Sequence, residues 1–461
     1  MIKQIFNQNK DLTRGPISLK IVSLALPLMA MAVLQTTQSL IDMFWVGRLG
    51  ASSIAAVAMS GMIIMVLFTM IVGVSTGTLA LVARYVGAKN KEKADTVATQ
   101  SISLAIIMAI LTVAAGLVFT KRLLLIMGAG PDILEAGIGY LKILLLGGVT
   151  MFLLFTGNSI LRGAGDTVTP MKLMILANII NIILDPVFIF GIGVPRMNTS
   201  GAAVATVISQ AVSAFLVLWM LSNGRCIVHI HLKEWKIKLE FLKAILKIGL
   251  PSSLQMFLRS LMMMVLIGIV ATFGTSAVAA YGVGMRLQMV ILMPAFALGG
   301  SAATLVGQNL GAREPARAKR SAWVATIFDA IIMAFVAIVF FLLAYQIMGV
   351  FNKDGRIIFL GAQYLRITTP FYMFIAFGIV LNRALAGAGD TVIPMIITLL
   401  TLWGFQIPMA LFLSKATSLG VTGVWWAIAS ASVLNGLLIL GWFEIGKWKK
   451  KAEPVIVQAD G

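Results

Sequence analysis

The sequence predicts an all-α membrane protein with twelve transmembrane helices in two homologous six-helix bundles. Three observations predict it. The mean hydropathy is +0.98; 59% of the 461 residues are hydrophobic and 11% charged, whereas soluble domains carry about a quarter charged residues. Apolar stretches of bilayer-crossing length, roughly 20 residues or more, recur along the chain. The chain also repeats itself at a spacing of 224 residues. Pro27 of LALPLM returns as Pro251 of IGLPSS, GASSIAAVAMSG from Gly50 as GTSAVAAYGVGM from Gly274, and VGAK from Val86 as LGAR from Leu310. GAGDTVTPM from Gly163 returns as GAGDTVIPM from Gly387. Near the end the spacing slips to 222, where Gly201 answers Gly423.

The apolar segments of the first half run over 18–44, 52–83, 94–118, 132–156, 168–191 and 201–222. Those of the second run over 245–271, 276–306, 320–347, 358–382, 391–414 and 421–444. Six is even, so both halves enter the bilayer the same way, a parallel repeat of the kind transporters use. This predicts an N-terminal lobe at 1–225, a cytoplasmic linker at 226–244 and a C-terminal lobe at 245–461. The linker stretch KEWKIKLEFLKAILK alternates charge with apolar residues and predicts an interfacial helix leading into segment 7. The tail from Lys447, KWKKKAEPVIVQADG, is polar and predicted to fray.

A net charge of +19 raises the question of nucleic acid, and its placement answers it. With a cytoplasmic N-terminus, the basic clusters at Arg84 to Lys93, Arg225 to Lys247, Arg313 to Arg320 and Lys447 to Lys451 all fall on the cytoplasmic side. This positive-inside bias predicts a multi-pass protein of the cytoplasmic membrane with both termini cytoplasmic. The partners implied are the lipid bilayer and small organic molecules, with no nucleic acid, and a monomer is expected. The first 17 residues are polar and the first apolar run is too long for a signal h-region, so it reads as a membrane segment. Cys226 is the single cysteine and cannot form an intramolecular disulfide. The GAGDTV turns are kept in both halves and read as structural, with glycines for the tight turn and Asp166 and Asp390 capping the next helix.

Function is sought where the halves differ. Asp42 faces Leu266 in the repeat, and Asp185 faces Met409. On segment 1, Pro27, Met31, Gln35, Gln38 and Asp42 fall on one helical face. Pro27 should kink that helix. A polar stripe with a kink reads as a cavity lining, the plainer alternative being interhelical glue. On segment 5, Asn178, Asn181 and Asp185 share a face, followed by Pro186. Carboxylates at such depth are costly unless protonated, paired, ion-bound or wetted, so the pair predicts a proton or cation site. Asp42, Asn181 and Asp185 supply hard oxygens suited to a sodium ion. A buried network that only rigidifies the lobe is the structural alternative. Asn158 near the end of segment 4 is placed with the same cavity, and Thr206 on segment 6 offers a hydroxyl.

In the second half, Arg259 and Asp329 are expected to pair. Lys142 and Arg366, each two residues after a tyrosine, look structural. Met stripes on segments 7 and 8 read as packing or an adaptable apolar surface. With two histidines and one cysteine, no HExxH, no Walker motif and no dinucleotide fingerprint, an enzyme, a zinc protease and an ATP-driven pump are excluded. No cofactor is expected beyond a coupling proton or sodium ion.

The LALP opening, DMFWVGRLGASSIAAVA, LVARYVGAKNKEKA and the GAGDTV turns together resemble the multidrug and toxic compound extrusion (MATE) transporters, over essentially the whole chain. Within them the chain is most similar to the prokaryotic branch related to DNA-damage-inducible F proteins. The resemblance implies two bundles forming a V around a cavity that alternates between faces, and export of cationic and amphipathic compounds in exchange for protons or sodium. It implies coupling positions at Asp42, Asn181 and Asp185, a helix 6 hydroxyl at Thr206, and cavity positions at Asn158 and Gln35. Other branches use a glutamate on helix 7; this chain has Gln255 and Arg259 there. The rival within the superfamily is a flippase for a lipid-linked precursor, for which Arg259 and Arg286 would serve an anionic headgroup.

Overall fold

The structure is a computed structural model that describes residues 11–224, 226–231 and 236–452. All the regular secondary structure among the described residues is helical. Twelve spans follow if one bent pair is counted as a single crossing. They are α1 (Ile17–Gly47), α2 (Ala51–Gly87), α3 (Lys91–Ile126), α4 (Pro131–Leu146 and Gly148–Gly163, bent by 45°), α5 (Val168–Phe190) and α6 (Thr199–Ser222) in the first half. The second half holds α7 (Leu239–Ala271), α8 (Thr275–Ile291 and Met293–Gly311), α9 (Pro315–Leu342), α10 (Gly355–Thr368 and Tyr372–Gly387), α11 (Val392–Leu399 to Ile407–Lys415) and α12 (Val421–Ile445). A short helix, Ala344–Phe351, stands between α9 and α10.

With lipid tails as apolar as leucine, such helices gain little from hydrophobic burial and associate by close packing. Small residues make that packing possible. A Cβ on Gly163 would lie 3.0 Å from the Leu79 carbonyl oxygen, and one on the repeat-equivalent Gly387 would lie 2.1 Å from that of Ala303. The GAGDTV turns place Gly165 and Gly389 at φ +93° and +78°, a region open mainly to glycine. Asp166 Oδ1 then accepts from Val168 N at 3.0 Å and Thr169 N at 2.9 Å.

The chain divides into two compact units that differ from the repeat boundary. Of the described residues, the first contains those of 26–253, and the second contains 12–25 and 254–452. The first portions of α1 and α7 are exchanged. Leu12, Ile17, Ile21 and Leu24 are buried with Leu298, Leu305 and Leu381 of the second unit. Phe241, Leu242, Ile245 and Ile248 are buried with Leu81, Val97 and Ile160 of the first. The exchange points fall beside Pro27 and Pro251, yet α1 remains one continuous helix through Pro27.

Two other expectations change. Within the linker, Arg225 and 232–235 lie outside the described residues; Lys236 to Lys238 are not helical, because the Gln100 side chain takes up their backbone groups, donating to Lys236 O at 2.7 Å and accepting from Lys238 N at 3.0 Å. The helix from Leu239 onward is α7 itself. The start of the tail is ordered rather than frayed: Trp448 is buried, stacks on Phe443 at 4.8 Å and donates to Phe443 O at 2.8 Å. Its indole supplies the apolar surface that the lysines around it lack. Residues 453–461 lie outside the described residues.

Candidate functional site

Residues of α1, α4 and α5 converge inside the first unit. Asn178, Asn181 and Asp185 project from one face of α5 and are buried. Asn178 Nδ2 donates to the Leu34 carbonyl at 2.9 Å, which ties α5 to α1 one turn before Gln38. Asn181 Nδ2 donates to Asp185 Oδ1 at 3.2 Å. The side chains of Asp42 and Asp185 are neighbours across α1 and α5. The phenol of Tyr140, on α4, sits beside both acids.

Donors are scarce around this cluster. Asp42 Oδ1, Asp185 Oδ2, Asn181 Oδ1 and Asn178 Oδ1 are buried and meet no N–H or O–H donor, and Asn158 Oδ1 on α4 is in the same condition. Two carboxylates in contact repel unless a proton or a cation lies between them. An excess of hard oxygen acceptors is the chemistry that holds a proton or an alkali cation. Asp42 Oδ1, Asn181 Oδ1 and Asp185 Oδ2 are the atoms that fit a sodium ion. Among the described residues no group of three His, Cys, Asp or Glu side chains forms, so two acids are the full charge available to a cation here.

The other expected residues are placed as follows. Thr206 Oγ1 donates to Ala202 O at 2.9 Å, within its own helix. Met31 and Gln38 are half-buried on α1, and Gln35 is exposed there. Tyr140 is not among the residues the sequence points to; its only signal there is that it and its repeat equivalent Tyr364 each stand two residues before a cation.

Arg259 and Asp329 do not pair. Both Asp329 oxygens are buried without a hydrogen-bond partner, and the charged neighbour of Arg259 is Arg383. The spacing along α7 and α9 set both residues in the second half but not on facing sides. Arg366 packs over the rings of Tyr345 and Phe341, at 4.9 and 5.9 Å.

The repeat register also shifts. Residues 400–406 of α11 form a π-helical turn, which inserts one extra residue. Trp403 Nε1 therefore donates to Leu258 O at 3.1 Å, the place Asn178 holds against Leu34, at a spacing of 225. After the turn, Gly423 packs on the Leu413 carbonyl as Gly201 packs on that of Phe188, again a spacing of 225 along the fifth helix. The counterpart of Asp185 is thus Ala410 rather than Met409, and that of Asn181 is Gln406. Ala410 is fully buried, like Asp185.

The MatE family model matches residues 27–187 and again 251–412, once in each half. This chain belongs to the MATE family. It is 31% identical over 441 residues to a probable multidrug resistance protein, YoeA, of Bacillus subtilis, covering 94% of each chain. It is 28% identical over 431 residues to an FAD transporter of Shewanella oneidensis, covering 92% of this chain and 94% of the relative. A solved structure described as MATE in the bent conformation superimposes with a TM-score of 0.89 at 30% identity, covering 96% of this chain and 98% of the other. The MATE chain is a multi-pass membrane transporter and not an enzyme, and the acid-rich cluster lies in the first of its two matched halves.

Proposed function

We propose that this MATE chain is a cation-coupled antiporter that exports cationic and amphipathic compounds, with the coupling ion bound in the first lobe. The observation that carries the reading is the side-by-side placing of Asp42 and Asp185, two acids inside apolar helices whose neighbouring amides leave buried acceptor oxygens unfilled. The ion is a proton shared by the two carboxyls, or a sodium ion on Asp42, Asn181 and Asp185 with Thr206 as a fourth oxygen. Its arrival removes the repulsion between α1 and α5 and favours their closer approach. Pro27 removes one backbone bond from α1 and sits where the chain passes from one packing unit to the other, which suits it to act as the hinge. Met31, Gln35, Gln38, Asn158 and Asn178 form the polar part of the cavity wall in this reading. The resemblance to a multidrug resistance protein supports a broad organic substrate range. The positive-inside pattern supports insertion in the cytoplasmic membrane with both termini inside.

The test is efflux of a fluorescent cationic dye from vesicles holding the purified chain, under an imposed pH gradient and separately under a sodium gradient. Efflux driven by either gradient and lost without both is the expected result. Dye movement indifferent to both gradients overturns the coupling.

A further inference from the structure

The second unit contains a partly open cavity of about 150 Å³. It occupies the place that the carboxylate cluster holds in the first. Leu266, Tyr364, Gln406 and Ile428 line it, and they are the repeat counterparts of Asp42, Tyr140, Asn181 and Thr206. Both acids are gone, replaced by Leu266 and Ala410. Where the first half has Gln35, this wall has Arg259, the one charged residue among its described lining.

Arg259 has no counter-ion. Among the described residues the ion pairs are His231 with Asp95 and Lys319 with Glu444, neither involving it. Its charged neighbour is a second cation, Arg383, whose guanidinium lies over the Phe296 ring at 5.8 Å. A guanidinium inside a membrane bundle, repelled by a second cation in the same unit, is costly without an anion. Gln288 commits its side-chain oxygen to the Tyr364 hydroxyl at 2.9 Å, which leaves its NH₂ group as a further donor in the wall. The rest of the surface is soft and apolar, supplied by Met262, Met263, Met285 and Met289. Methionine surfaces adapt to apolar groups of varied shape. A volume of this size, in an engineered apolar cavity, admits benzene.

We propose that this cavity binds an amphipathic organic anion, with the anionic group on Arg259 and Gln288 and an apolar part the size of one aromatic ring or a short acyl chain against the methionines. The charge pattern is the inverse of the first lobe: acids without a base there, a base without an acid here. A carboxylate, sulfonate or phosphate monoester fits, either free or carried by a lipid. Binding here is an equilibrium property, read without any gradient and so apart from the coupling test.

Calorimetric titration of the full chain in phosphatidylcholine nanodiscs tests it, with 4-nitrobenzoate and its neutral analogue 4-nitrobenzamide as probes. The anion should bind about tenfold or more tightly than the amide, as expected when a charge-assisted hydrogen bond is made. Arg259→Gln, which installs the residue of the first half, should cost the anion about tenfold and leave the amide unchanged, and Arg259→Lys should restore most of the loss. Native mass spectrometry from nanodiscs doped with phosphatidylglycerol separates the sources. A retained phosphatidylglycerol that the Arg259→Gln change releases assigns the anion to lipid; nitrobenzoate binding without retained lipid assigns it to a free organic anion. Equal affinity of wild type for the two probes with no retained anionic lipid overturns the proposal without reliance on any variant. So does unchanged nitrobenzoate affinity in folded Arg259→Gln.

Discussion

Asp42 and Asp185 bring their carboxyl groups together across α1 and α5, and the second half has Leu266 and Ala410 in their places. The pair is a local feature of one lobe imposed on a shared scaffold. Neutralising either member removes a like-charge contact, so Asp42→Asn and Asp185→Asn should keep or raise thermal stability. Each should reduce gradient-driven dye efflux to the leak of protein-free vesicles. Near-normal efflux by either variant at equal expression would remove that residue from the coupling site.

Much of this was legible in the sequence, and the reasons are specific. The spans, the repeat and the asymmetric acids could be read because a bilayer demands long apolar runs and makes an intramembrane carboxylate conspicuous. Asn178, Asn181 and Asp185 could be grouped because a single helix fixes which residues share a face. What escaped depends on packing between helices. Spacing could not say that Arg259 and Asp329 leave each other unpaired. Tyr140 was hidden because tyrosine is unremarkable in a bundle until its neighbours are acids. The π-helical turn at 400–406 shifts the register by one residue; Gly404 within it and Pro408 just after it are equally at home in an ordinary bent helix, so the shift shows only in packing, through Trp403 against Leu258 and Gly423 against Leu413.

The glycine contacts make a stability prediction. Gly387→Ala would press a methyl group against the Ala303 backbone, where no flexible side chain can yield. Overpacking of this kind costs about 1–3 kcal/mol. Gly441→Ala, with nothing within 4 Å, should be neutral or stabilising through helix propensity. Thermal unfolding in detergent should therefore rank Gly387→Ala well below wild type and Gly441→Ala at or above it; the reverse order would contradict the close approach of α10 to α8.

Cys226 lies in the linker, and burial together with the charge of Asp166 pushes its thiol up to about 11. Maleimide reacts with the thiolate. Labelling of the folded chain should thus be slow at neutral pH and keep accelerating as pH rises beyond 9. The denatured chain should level off near the ordinary thiol value of about 8.5. The sign for stability follows: the folded state holds a proton that the unfolded state gives up, so this contribution is intact below the unfolded value and is lost as pH climbs towards 11. A folded-state labelling rate that reaches its plateau by pH 9, followed by mass spectrometry, would show the thiol to be unshielded.

Asp329 is fully buried on α9, and neither carboxyl oxygen has a partner. Its repeat counterpart is Ala105, equally buried. An unpartnered buried polar group costs about 1–3 kcal/mol by mutational measures. That cost has no visible return in the second unit, since Arg259 does not pair with it. Asp329→Ala, which copies the first half, should therefore raise the unfolding temperature, less whatever the small cavity it leaves subtracts. It should leave dye efflux close to wild type, in contrast to Asp42→Asn. The informative failure is a variant that stays folded, gains no stability and loses coupled efflux. That result would place Asp329 in the ion pathway and end the assignment of coupling to the first lobe alone.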